Sequence, residues 1–130
     1  MRTVLASVGS MLVLWLHAAA AVDAVNLSGR WGLEFQRDAE SARYLADCVW
    51  EQEGDRLSGS CASGFQSIVT VRGRVEASDV TFEFKAGADG PVMSFSGRLE
   101  GKATSVSGTW QSVDDQGNRG SGGTFTATKR

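Results

Sequence analysis

The sequence predicts an all-β domain, an eight-stranded antiparallel up-and-down β-barrel, and three observations carry that expectation. A five-residue unit, apolar-x-Gly-x-apolar, recurs along the chain; turn residues separate the copies; and within each copy the alternation has a period of two. The copies are Leu27-Ser28-Gly29-Arg30-Trp31, Leu57-Ser58-Gly59-Ser60-Cys61, Val71-Arg72-Gly73-Arg74-Val75, Phe95-Ser96-Gly97-Arg98-Leu99 and Val106-Ser107-Gly108-Thr109-Trp110, with a degenerate one at 122–125. Apolar residues and glycine therefore share one face, and Ser, Arg and Thr share the other. A strand with one dry and one wet side belongs to an antiparallel sheet, because parallel strands are apolar on both faces.

The first 24 residues stand apart from this pattern. Arg2 opens a basic start, 11–16 is an apolar run, and small residues lead up to Ala24, which reads as a secretory signal peptide cut after Ala21 or Ala24. The run is shorter than the roughly 20 residues of a membrane-spanning helix, so no membrane span is expected. The organisation is then 1–24 signal peptide and 25–130 single barrel domain, secreted or periplasmic. Both cysteines fall in the exported part, where thiols oxidise.

Strands are expected at about 27–36, 44–53, 56–63, 67–76, 79–86, 91–100, 104–113 and 122–129. Gly54-Asp55 is a two-residue hairpin signal. If Glu53 and Arg56 flank it, Cys61 falls opposite Cys48 in a closely approaching non-hydrogen-bonded pair, which suits a disulfide. The same register sets Gly59 against Trp50. A hairpin at Ala77-Ser78 sets Gly73 against Phe82, and one near 101–104 sets Phe95 against Trp110 and Gly97 against Gly108. Large rings over bare backbone let a sheet coil, and a long coiled meander closes to abolish its edges. An open two-sheet sandwich is the competing architecture. Connections are short except 37–43 and 114–121, and 36–46 has spacing that suits one helical turn or a flexible lid.

At Leu27-Ser28-Gly29-Arg30-Trp31 the chain resembles the opening strand of calycin barrels, the G-x-W of lipocalins and the [L/I]-[S/T]-G-x-W of avidins. The resemblance implies a cup of eight antiparallel strands, with Trp31 plugging the closed end and a ligand held in the lumen. It is most similar to small secreted bacterial barrels built from repeated strand-glycine units. Leu33 stands where avidins place a polar contact to biotin, so biotin is not expected. The lipocalin T-D-Y motif and carboxy-terminal helix are missing. The start is also similar to that of small periplasmic barrels that inhibit secreted metalloproteases, which carry L-x-G-x-W and one disulfide and insert a free amino-terminal arm. Here only Val25 and Asn26 would precede Leu27 after the second cut.

Composition narrows the function. The chain has 130 residues, 13 Lys+Arg, 15 Asp+Glu and a formal charge of −2, which provides no basic field for nucleic acid. The one histidine, His17, lies in the leader, so histidine triads and imidazole metal sites are not expected in the mature domain. Among inward-facing positions only Gln52 is conspicuously polar. No carboxylate pair, lysine or serine-base couple points inward, so the protein is not expected to be an enzyme or to need a cofactor. The acidic run at 114–120 lacks a regular calcium ladder, and 120–123 lacks the Lys-Ser/Thr of a phosphate loop, so no metal is expected. The expectation is a non-catalytic barrel that binds a small apolar ligand between Trp31, Tyr44, Trp50, Phe82, Phe84, Phe95 and Trp110. The alternative is a filled core carrying a protein-binding module, such as a periplasmic protease inhibitor, that acts through the loops at 37–43 and 114–121.

Overall fold

The structure, a computed structural model, describes residues 26–63, 68–87 and 89–130. The signal peptide expected at 1–24 lies outside them. Eight strands follow one another: β1 (Gly29–Arg37), β2 (Arg43–Glu53), β3 (Arg56–Ala62), β4 (Val69–Glu76), β5 (Asp79–Lys85), β6 (Val92–Glu100), β7 (Ser105–Val113) and β8 (Arg119–Lys129). Each pairs antiparallel with its neighbours, and β8 pairs back with β1 to close the barrel. The meander is therefore a closed barrel and not a sandwich.

Turn chemistry and alternation fix the register. Glu53 faces Arg56 across Gly54-Asp55, which carries Cys48 to Cys61 and Trp50 to Gly59. The two cysteines stand 4.0 Å apart at Cα and are joined by a disulfide. Gly73 faces Phe82 and Val75 faces Val80 across the 77–78 turn, while Phe95 faces Trp110 and Gly97 faces Gly108 across 101–104. The Gly97–Gly108 pair explains its own composition: a Cβ on Gly108 would stand 2.5 Å from the Gly97 Cα, and one on Gly97 would stand 2.9 Å from the Phe125 ring. Phe125 fills the space that the two glycines leave.

Two details depart from the sequence reading. The stretch 36–46 contains no helical turn: β1 runs to Arg37 and β2 starts at Arg43, with a turn at 38–39 between them. Helical spacing there is outweighed by cross-strand pairing, since Phe35 opposite Tyr44 and Gln36 opposite Arg43 extend the ladder to the last residues. The long connections are also more numerous than 37–43 and 114–121, because β3 and β4 are separated by 63–68 and β5 and β6 by 86–91. At the last connection β8 begins earlier than expected, at Arg119.

The interior is continuous along the barrel. Trp31, Trp50, Leu27, Val71, Val80, Val106 and Ala127 are wholly buried, and Phe82, Phe95, Phe125 and Trp110 nearly so. Apolar surface removed from water in this way stabilises the fold by about 25 cal/mol per Å².

The open end and its aromatic shelf

The two ends of the barrel differ in their connections. The two-residue turns at 54–55 and 77–78 and the 101–104 turn lie at one end; the strand ends joined by the longer connections, Arg37 and Arg43, Ala62 and Val69, Lys85 and Val92, and Val113 and Arg119, lie at the other.

The short-turn end is sealed. Leu27 lies just before β1 and is fully buried, and the Trp31 indole Nε1 donates to its carbonyl at 2.8 Å. Trp31 stacks on Trp50 with ring centroids 4.8 Å apart. Gln52, the polar residue expected to face inward, is used here. Its Oε1 accepts from the Leu27 amide at 2.8 Å, its Nε2 donates to the Gly54 carbonyl at 2.9 Å, and its backbone amide donates to Ser28 Oγ at 2.9 Å. One amide side chain thus ties the entry segment to the first hairpin.

The middle is filled by rings. Phe82 and Phe95 stack at 4.6 Å, Phe125 meets both edge-on at 5.6 and 5.2 Å, and Trp50 reaches Phe82 at 5.1 Å. Such pairs contribute roughly 0.5–1.5 kcal/mol each beyond the area they bury. Trp50 Nε1 is buried and has no hydrogen-bond acceptor among the described residues. Of the seven residues expected to bind a ligand, Trp31, Trp50, Phe82 and Phe95 are at most 2% exposed and pack on one another in this layer and the sealed end.

The remaining three stand toward the open end, joined by residues outside the expected ligand set. Phe35 stacks on Tyr44 at 5.3 Å and meets Trp110 edge-on at 5.4 Å. The Trp110 indole donates to the Gln36 carbonyl at 3.1 Å, which fixes the ring under β1. Phe84 tilts against Phe95 at 5.3 Å, opposite Met93 in the β5–β6 register. Phe35, Phe84 and Met93 are half-buried, and Tyr44 is 39% exposed. The Arg37 guanidinium sits 5.9 Å from the Tyr44 ring centre, within cation–π range. This shelf offers apolar contact, one phenol and one guanidinium. Alternation marks Phe35 and Met93 as inward-facing, whereas Arg37, a charged strand-end residue, carries no signal of its position over Tyr44.

The flanking loops are held by local bonds. Arg37 pairs with Glu40 at 3.6 Å, Gln36 Nε2 donates to the Glu40 carbonyl at 2.6 Å, and the Asp38 amide donates to the Gly122 carbonyl at 2.8 Å. At 114–118 the Asp114 carboxylate accepts the amides of Asn118 at 2.8 Å and Gln116 at 2.9 Å. The Asn118 bond is the main reason that its pKa is lowered from the usual 3.8. Beside this loop, a concavity of about 350 Å³ is lined by Asp89, Pro91, Ser112, Asp114, Asn118 and Arg119. Ser112 is buried there, at a register shift in the β7–β8 pairing, and donates to the Ser121 carbonyl at 3.3 Å. Among the described residues no group of three or more His, Cys, Asp or Glu is arranged to hold a metal. No helix among them is long and apolar enough to cross a membrane.

Searches against protein-family models and against curated proteins return no match for this chain.

Proposed function

We propose that the protein is an exported, non-catalytic binding barrel whose partner is another protein, engaged at the open end by the loops around 38–42 and 114–118 and by the shelf of Phe35, Tyr44, Phe84 and Met93. The observation that carries this reading is the run of packed rings from Trp31 to Trp110, which leaves Trp31, Trp50, Phe82 and Phe95 at most 2% exposed and packed on one another. What remains on offer is a rim that combines an exposed tyrosine with an arginine over its face, two residue types enriched in the anchoring positions of protein interfaces. Export is supported by the disulfide and by the basic-apolar-small pattern of the first 24 residues. The resemblance to small periplasmic protease inhibitors makes secreted proteases the first partners to try.

A second reading keeps the small apolar ligand, seated on the half-buried shelf. It draws on the half-buried state of Phe35, Phe84 and Met93, which leaves apolar surface within reach of solvent. The two separate in one experiment. The purified domain is titrated with a panel of secreted metallo- and serine proteases and, in parallel, with a fluorescent fatty acid. Stoichiometric inhibition of a protease, abolished when Tyr44 and Arg37 are changed to Ala, supports the protein-binding reading. Saturable fatty-acid binding with quenching of tryptophan emission, and no inhibition, overturns it in favour of the second.

A further inference from the structure

A second surface lies away from the open end, on the outer wall. Across β2 to β7 the wall is hollowed into an open depression of about 1020 Å³. Neighbouring strands lie about 4.8 Å apart, so the depression crosses roughly 24 Å of sheet.

The outward positions that line the hollow are polar, and Leu57, Phe82, Phe95 and Trp110 border it from the buried positions of the same strands. The outward lining includes the hydroxyl side chains of Ser58, Thr81, Ser94, Ser96 and Thr109. Three arginines, Arg56, Arg72 and Arg74, and three glutamates, Glu51, Glu53 and Glu83, line it as well, so the lining is neutral. The register interleaves the signs: Glu53 faces Arg56, and Arg72 faces Glu83. Arg56 faces Arg74 directly, a like-charge pair that costs stability. Arg74 is drawn toward Asp55 at 3.8 Å and Glu76 at 3.7 Å. Among the described residues Arg56 and Arg72 have no carboxylate within 4.0 Å, so their donors are open to a ligand.

These features select one class of occupant. The exposed side chains of the hollow present dense, alternating donors and acceptors and no aromatic or aliphatic platform, which disfavours an apolar molecule. Zero net charge disfavours a polyanion, which would meet three glutamates. A peptide recognised by strand addition needs a free sheet edge, and the closed barrel has none. An extended, uncharged chain rich in hydroxyl groups suits this lining: its hydroxyls would accept from the open guanidinium donors of Arg56 and Arg72 and donate to the glutamates, with serines and threonines along its length. We propose that the outer hollow is an oligosaccharide-binding groove, separate from the open end and independent of what that end binds.

The test uses maltohexaose, cellohexaose and hexa-N-acetylchitohexaose at millimolar concentration against the isotopically labelled protein. At least one of them is expected to shift the amide resonances of Ser58, Thr81, Ser94, Ser96 and Thr109 in a saturable way that added salt leaves in place. Arg72→Ala removes donors and Ser96→Trp fills the hollow; both positions are exposed, and each change weakens binding by about tenfold or more. Arg72→Gln, which retains an amide donor, gives an intermediate loss, and the two Arg72 variants carry the test if Ser96→Trp does not fold. No shift with any of the three sugars, shifts confined to Tyr44 and Phe84, or binding unchanged in the Arg72 variants overturns the proposal, as does stronger binding by heparin that fades with salt.

Discussion

Phe82 and Phe95 lie face to face across β5 and β6, with centroids 4.6 Å apart and planes within 5° of parallel. Phe95 also meets Phe35, Phe84, Trp110 and Phe125, so it is the junction of the sealed and open halves of the interior. Replacing it with Ala removes the ring and leaves a cavity that its rigid aromatic neighbours fill poorly. Phe95→Ala is expected to cost about 3–5 kcal/mol in urea unfolding. A loss below about 1 kcal/mol would mean that these rings do not form one packed body.

The disulfide closes a ring across a short hairpin, with Cys48 and Cys61 separated by 13 positions. In the loop-entropy account it contributes on the order of 3 kcal/mol by restricting the unfolded chain. Cys48→Ala/Cys61→Ala should lower the unfolding free energy by roughly that amount while leaving the far-ultraviolet spectrum unchanged. An unreduced mass that shows two free thiols would refute the pairing outright.

Much of the fold is legible in the sequence, and particular residues show why. Gly54-Asp55 is a two-residue turn, and once its flanks are fixed a period of two leaves no freedom over which residue meets Cys48 or Trp50. The closed architecture follows from glycines that face large rings across successive hairpins. The open end is harder to read. Strand ends at Ala62, Lys85 and Arg119 depend on where pairing stops, and the nearby Gly64, Gly87, Gly90-Pro91 and Gly117 signal a connection without fixing its bounds. Leu27 reads as the first strand residue by alternation, yet it lies outside β1 because Trp31 and Gln52 draw it into the sealed end. The outer hollow leaves no trace in the sequence, since Ser and Thr on a wet face look the same whether the wall bulges or bends in.

Gly108 leaves no room for a side chain. Because a Cβ there would press on the Gly97 Cα, Gly108→Val forces the β6–β7 ladder apart. We expect a loss of about 3 kcal/mol or an insoluble product, from overpacking against backbone that cannot yield. A folded variant of unchanged stability would contradict the close approach.

The loop at 114–118 should respond to acid. The Asp114 pKa is held below 3.8 in the folded protein, so its ionised form favours the ordered loop; that preference is complete above the unfolded value and is lost as pH falls through the lower folded value. The amide resonances of Gln116 and Asn118 should therefore move together with a midpoint below 3.8, and Asp114→Asn should remove the transition. A midpoint above 3.8 would show that the carboxylate does not accept those two bonds.

If its own rings fill the barrel, as proposed, partners are met at the surface. Nuclear Overhauser effects at the Phe95 ring, recorded on the folded protein before and after addition of a saturating fatty acid, address that filling most directly. The expected result is simultaneous proximity to Phe35, Phe82, Phe84, Trp110 and Phe125, unchanged in the presence of the lipid. Lipid methylene signals at Phe82 and Phe95, appearing as the ring-to-ring signals vanish, would contradict it.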